Sequence, residues 1–262
     1  MVTEVRLTSE QVYALLGADW LADGPVRLNT ALTLDDLSGS LVSNNARSVM
    51  EPLEANGGVK LTSTGAFNRK FVARMVEDFR WPGYEPEKVW RFNKVLNEAD
   101  FPPLNYLHAI LDVAGLARKY KGTLRATKKG RSLQRPEAAG KLNAVLFEAT
   151  FRRYNLRYLQ RWVFKNEDDF QPQIAVILYL IRAFPAAPRT AAELCRATTL
   201  PIEPSSDHPF YKPENAFAWQ VLTYLEWFGL IDRSARAAND EWSAPPLFAK
   251  TPLFDRFLSF AI

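Results

Sequence analysis

Apolar residues recur at helical spacing along most of this chain, and several of the helical stretches end at a glycine that hands over to short alternating segments. Leu104, Leu107, Ile110, Leu111 and Ala114 form one stripe, with Pro102 and Pro103 where a helix tolerates proline, in its first turn. Gly115 follows as a helix-ending residue. Behind it, LARKY, KG and TLRAT read as strand, tight turn and strand, and KKGRSL enters a further element.

The same order returns near the C-terminus. Ala218, Val221, Leu222, Leu225 and Phe228 make a helical stripe that stops at Gly229, followed by LIDRS, a polar turn ARAANDEW and PLFAKT. The segments LDVAGLARKY and LEWFGLIDRS align residue for residue at the helix end. Upstream, Ile174 to Phe184 reads as a buried helix, and Thr190 with Glu193 three positions on forms a capping box for a short helix through Ala197. A weaker copy lies in VMEPLEANGGVKLTSTGAFNRKFV, where a helix ends at Gly57 and Gly58 and leads into a strand without a hairpin. Aligning the three copies places Thr62, Thr127 and Lys250 or Thr251 in corresponding positions. Between the second and third copies, Leu142 to Phe164 predicts a long amphipathic helix, with Leu142, Val145, Leu146, Ala149, Leu156, Leu159 and Val163 inward.

Helix, glycine, strand, turn, strand is the order of a winged helix. The expected fold is therefore mainly α, with tandem winged-helix-like units, two clear and one degenerate, and short β-hairpins. The expected divisions are an N-terminal helical region over 1–100 holding the degenerate unit, a basic central unit with its long helix over 101–165, and a C-terminal unit over 166–262. The last boundary is set by NEDDFQPQ, residues 166–173, where a charge reversal coincides with a proline.

Charge sharpens this picture. The net charge of +4 conceals a basic centre between acidic ends: residues 1–60 carry −4, 61–100 carry +1, 101–165 carry +11 and 166–262 carry −4. Eight Lys and Arg lie between Arg118 and Arg135 with no acid among them. A patch of this kind can displace the counterions condensed on a nucleic-acid backbone. It can equally guard an exposed strand edge against pairing with other chains.

The segments GGVKLTSTGAFNRKFV and LHAILDVAGLARKYKGTLRATKKGRSL resemble a helical accessory region of uncharacterised bacterial proteins, including some of the Ri-plasmid open-reading-frame family. The resemblance covers about residues 30–160 and implies a winged-helix-like fold; the domain that defines the Ri-plasmid family is not evident. GLARKYKGTLRATKKGRSL is also similar to the recognition-helix-to-wing segment of winged-helix regulators.

The candidate nucleic-acid contacts are Arg118, Lys119, Lys121, Arg125, Lys128, Lys129 and Arg131 for phosphate, with Asn105 and His108 on the preceding helix for base edges. Asn105, Ala109 and Asp112 are expected outward, with Tyr106 and His108 on the flanks. Asp112 opposes phosphate, and that helix carries no Arg or Lys. The corresponding C-terminal helix presents Gln220, Thr223 and Glu226 beside Trp219, Tyr224 and Trp227, which suits a protein interface better. Arg152, Arg153, Arg157 and Arg161 either extend the basic surface or pair with Glu148, Glu167, Asp168 and Asp169. Tyr154 and Tyr158 interleave with them.

No phosphate loop, nucleophile elbow or HExxH motif is present, and His208 sits in a proline-rich loop with Ser205, Ser206 and Asp207. One cysteine, Cys195, and two histidines argue against disulfides and a zinc site. The expected protein is non-enzymatic and cytoplasmic, without cofactor, metal or membrane attachment. Its partner is duplex DNA in a regulatory role or, alternatively, a protein, a second copy of the chain included.

Overall fold

The structure, a computed structural model, describes residues 7–17, 19–20, 24–158, 169–184, 186–199, 212–234 and 245–262. The chain folds mainly as helices with small antiparallel sheets, in two compact units: Thr30–Tyr154, and Met1–Asn29 together with Asn155–Ile262. The second unit begins with α1 (Ser9–Gly17) and β1 (Val26–Leu28) before the chain enters the first.

The Thr30–Tyr154 unit runs α2 (Leu41–Glu54), β2 (Val59–Lys60), α3 (Arg69–Asp78), α4 (Pro86–Phe92), α5 (Pro102–Val113), β3 (Ala117–Tyr120), β4 (Thr123–Ala126), α6 (Lys128–Leu133) and α7 (Ala139–Glu148). Ser40 and Asn68 cap α2 and α3 by accepting the backbone N–H groups of Ser43 and Phe71. The stripes of three helices meet in one core: Val42, Val49 and Met50 from α2, Val72, Met75 and Val76 from α3, and Leu104, Leu107, Ile110 and Leu111 from α5 are all fully buried.

The stretch expected as a degenerate third copy supplies the first helix and first strand of this unit. β2 pairs antiparallel with β4, Val59 opposite Leu124, giving a sheet of order β2-β4-β3. The long helix expected over 142–164 ends early. A π-helical turn, Ala149–Arg153, closes α7, and Tyr154 leaves in extended geometry with its ring edge-on to Tyr106. Leu159, Arg161 and Val163 lie outside the described residues.

The other unit continues with α8 (Ile174–Ala183), β5 (Arg189–Thr190), α9 (Ala191–Thr198), α10 (Pro213–Phe217), a π-helical turn (Ala218–Leu222), α11 (Thr223–Trp227), β6 (Ile231–Arg233), β7 (Leu247–Lys250), α12 (Pro252–Phe257) and β8 (Leu258–Phe260). Thr190 and Glu193 form the expected capping box. The sheet order is β5-β7-β6, the same interleaving as β2-β4-β3. Both units thus begin with a helix and a strand and reach their hairpin through further helices, three (α3 to α5) in the first and α9 to α11 in the second. A separate pair, β1 with β8, joins Val26 to Phe260 and Leu28 to Leu258. The expected polar turn over 235–242 and the His208 loop lie outside the described residues.

Candidate nucleic-acid interface

The hairpin is positioned by the end of α5. Gly115 takes a left-handed φ of 68°, its N–H donates to the Asp112 carbonyl, and the Leu116 N–H reaches back to Leu111, closing the helix. Gly229, with φ of 71°, repeats this arrangement through Glu226, and Leu230 through Leu225. A threonine after each hairpin completes the join. Thr127 Oγ1 donates to the Gly115 carbonyl at 2.8 Å, and Thr251 Oγ1 to the Gly229 carbonyl at 2.7 Å. Helix end and hairpin base are therefore locked together in both units.

Strands β3 and β4 meet at a two-residue turn in which Lys121 and Gly122 both have positive φ, the geometry that matches the twist of a tight hairpin. The register puts Arg118 directly opposite Arg125 and Tyr120 opposite Thr123, so these four share one face. Leu124, facing the other way, is fully buried. Tyr120 is 43% exposed and lies beneath three cations: Arg125 at 4.8 Å, Lys121 at 5.5 Å and Arg118 at 6.0 Å from the ring centre. Thr123 Oγ1 accepts from Arg125 Nε at 3.0 Å and steadies that guanidinium. Like charges facing each other across a ladder are unfavourable. No carboxylate among the described residues pairs with any of them.

The remaining predicted cations divide by environment. Lys128 stands exposed at the start of α6. Arg131 is exposed, with Nη1 donating to the Ala126 carbonyl. Lys119 points away from Arg118 and extends over Gly65. Lys129 is committed to the fold: its Nζ donates to the Ala114 carbonyl at 3.0 Å, and burial together with the nearby Arg153 guanidinium lowers its pKa against the opposing pull of Glu148. Arg153 is likewise tied down, to the Val113 carbonyl and the Glu148 carboxylate.

The base-reading helix departs from expectation. His108 is not on an outward flank: it is 8% exposed, its Nδ1 lies 2.7 Å from Glu98 Oε1, and its ring packs on Phe67 at 4.4 Å. Tyr106 is fully buried, with its hydroxyl on Thr150. Glu98 also accepts the Phe67 N–H, so it ties the entrance of α5 to the entrance of α3. Such a pair, with its polar atoms satisfied, is core architecture and offers no edge to a base. Asn105 stays half-buried, its amide 3.5 Å from the same carboxylate. Tyr120 was absent from the sequence-derived contacts; the available signal was an aromatic residue set between basic neighbours in KYK.

In the other unit the hairpin carries Asp232 and Arg233 on β6, with Arg233 over the Phe248 ring, and Lys250 bonds the Arg182 carbonyl and Asp255. Its helix shows Trp219 at 43% exposure, whereas Gln220, Tyr224 and Trp227 are buried. Gln220 accepts the Phe170 N–H at 3.1 Å, which explains a buried amide on that face.

Among the described residues no cluster of His, Cys, Asp and Glu could hold a metal ion, and no helix is long and apolar enough to cross a membrane. A stretch of 121 residues is 39% identical to a protein of Sinorhizobium fredii (strain NBRC 101917 / NGR234) named "Uncharacterized protein y4jL"; the match covers 43% of this chain and 55% of that protein. The chain therefore spans about half the length of the relative it matches. No solved structure matches the chain. Residues 38–141, which build the three-stranded sheet and its basic hairpin, match the family model of the Y4jL N-terminal domain, so this part of the chain is similar to a family of uncharacterised bacterial proteins.

Proposed function

We propose that both units are winged-helix modules and that the central one binds nucleic acid, duplex DNA in a regulatory role, through the phosphate backbone. The observation that supports this is the uncompensated Arg118–Arg125 pair, gathered with Lys121 around Tyr120 and continued by Lys128 and Arg131. Folding alone does not favour opposed arginines; a polyanion does. The buried His108 and the Glu98-linked Asn105 leave α5 little to offer base edges, so affinity rests on charge and sequence preference is weak. The reading is of a non-catalytic cytoplasmic protein.

Equilibrium binding to mixed-sequence duplex across a salt series tests this. Affinity falls with salt, and each phosphate contact removed from the set Arg118, Lys121, Arg125 and Lys128 by charge reversal lowers the log–log slope by about 0.9. An unchanged isotherm for the fourfold reversal at low salt would sink the proposal. Lys129 is left out of the set because reversing it breaks the helix end.

A second reading has its own observation. Exposed Trp219 and the mixed charges of the β6–β7 hairpin suit a protein surface, on which the second unit holds a partner or another copy of the chain. Mass measurement in solution with Trp219→Ala distinguishes it: an assembly that survives the substitution unweakened excludes this surface.

A further inference from the structure

Beside the hairpin, an open depression of about 560 Å³ is lined by Glu54, Lys128, Arg131, Ser132, Gln134 and Arg135. Its size is within the range of small-molecule sites. Three cations converge on it, and the one carboxylate in its wall pairs with none of them. Glu54 is held by a neutral neighbour in the same wall. With its nitrogen turned toward Glu54, the Gln134 amide donates to Oε2 at 3.2 Å and accepts the Glu51 N–H at 3.1 Å. Arg131 is fixed as a wall by its bond to the Ala126 carbonyl, and the Arg135 backbone is braced by the half-buried Arg47, whose Nη1 reaches its carbonyl. The cations are thus kept apart around open space rather than collapsed onto the acid.

We propose that this depression binds a phosphomonoester on a small hydroxylated body, the phosphate against Lys128, Arg131 and Arg135 and a hydroxyl donating to Glu54. A dianion brings three cations and one carboxylate to neutrality, and a hydroxyl is the donor an exposed carboxylate takes without a competing charge. The site shares Lys128 and Arg131 with the proposed nucleic-acid surface but does not depend on it. A free sugar phosphate and the 5′-phosphate of a nucleic-acid strand present the same chemistry.

Titration of the full chain, followed by backbone amide resonances, tests the site. Ribose 5-phosphate shifts the amides of Arg131 to Arg135 and Glu54 saturably, and ribose does not. Arg135→Glu, an exposed side chain the fold does not use, weakens the binding at least tenfold with spectral dispersion kept. Glu54→Ala tightens inorganic phosphate and erases the preference for ribose 5-phosphate over it. If a single-stranded oligonucleotide binds more tightly when 5′-phosphorylated and ribose 5-phosphate gives no shift, the ligand is a strand end. The double variant Arg118→Glu with Arg125→Glu removes duplex binding and leaves ribose 5-phosphate binding unchanged, which separates the two proposals. Absence of saturable shifts with both ligand types, or shifts that persist undiminished in Arg135→Glu, overturns the site.

Discussion

Thr127 and Thr251 occupy equivalent positions but hold different numbers of bonds. Thr127 donates to the Gly115 carbonyl and accepts the Gly130 N–H as the cap of α6, whereas Thr251 donates to Gly229 without accepting a capping bond from α12. Replacing the hydroxyl by a methyl group should therefore cost about 2 kcal/mol for Thr127→Val and about 1 kcal/mol for Thr251→Val. Urea midpoints for the two variants check this order, and equal losses would contradict it. Gly130 is constrained by space: a Cβ there would overlap the Leu116 carbonyl. Gly130→Ala should cost at least about 2 kcal/mol, since the obstacle is backbone and cannot turn aside. Glu226 provides a pH-dependent case. Burial first, with Asp232 adding and Arg233 opposing, raises its pKa above the ordinary carboxylate value. A carboxyl with a raised folded-state pKa stabilises below its unfolded pKa and loses that contribution as pH rises through the folded value. Glu226→Gln should match the parent at pH 3 and exceed it in stability at pH 7, as read by urea denaturation at both.

At the scale of elements, the β3–β4 hairpin carries a conflict between folding and function. Arg118→Glu turns the opposed Arg118–Arg125 pair into a complementary one, which should stabilise the hairpin by about 0.2–1 kcal/mol. The same change should weaken duplex binding and flatten its salt dependence. Thermal midpoint and binding slope moving in opposite directions is the signature; a fall in both would mean that the pair serves the fold. The hairpin itself was legible in the sequence because its signals are local: Gly115, the KG turn and the capping Thr127 lie within a few residues of what they shape. The strand after Gly58 was legible too, but its pairing was not: Val59 and Lys60 find Leu124 and Thr123 across three intervening helices, and such a pairing leaves no local mark. The end of α7 was missed for a related reason. Apolar spacing continues past Arg153, but Tyr154 is drawn out of the helix to pack on Tyr106, and Arg153 turns back to Val113 and Glu148. His108 was placed on the wrong flank because its partner, Glu98, belongs to a preceding 3-10 turn that periodicity does not reveal.

At the scale of the whole molecule, the chain leaves one unit after Asn29, completes the other by Tyr154 and returns. The β1–β8 pair closes the unit built from both chain segments, 1–29 and 155–262: Leu28 faces Leu258, and the Asn29 backbone and side chain bond the Phe257 and Arg256 carbonyls. The local pattern points instead to divisions at residues 100 and 165, since nothing local announces that β1 is completed by β8. Each unit has its own three-stranded sheet and its own buried stripes, so damage to one closure should remain within its unit. Leu258 is fully buried, and Leu258→Ala should cost about 3 kcal/mol by opening a cavity under the β1–β8 pair. Hydrogen exchange should then quicken at residues 26–28 and through α12, while the amides of β3 and β4 keep their protection. Duplex binding by the same variant should retain the parental salt slope, because the cations responsible are held by Gly115, Thr127 and Leu124 in the Thr30–Tyr154 unit. Loss of protection in both sheets together would show that the units fold as one, and the nucleic-acid surface would then depend on a strand pair, β1 with β8, that belongs to the other unit.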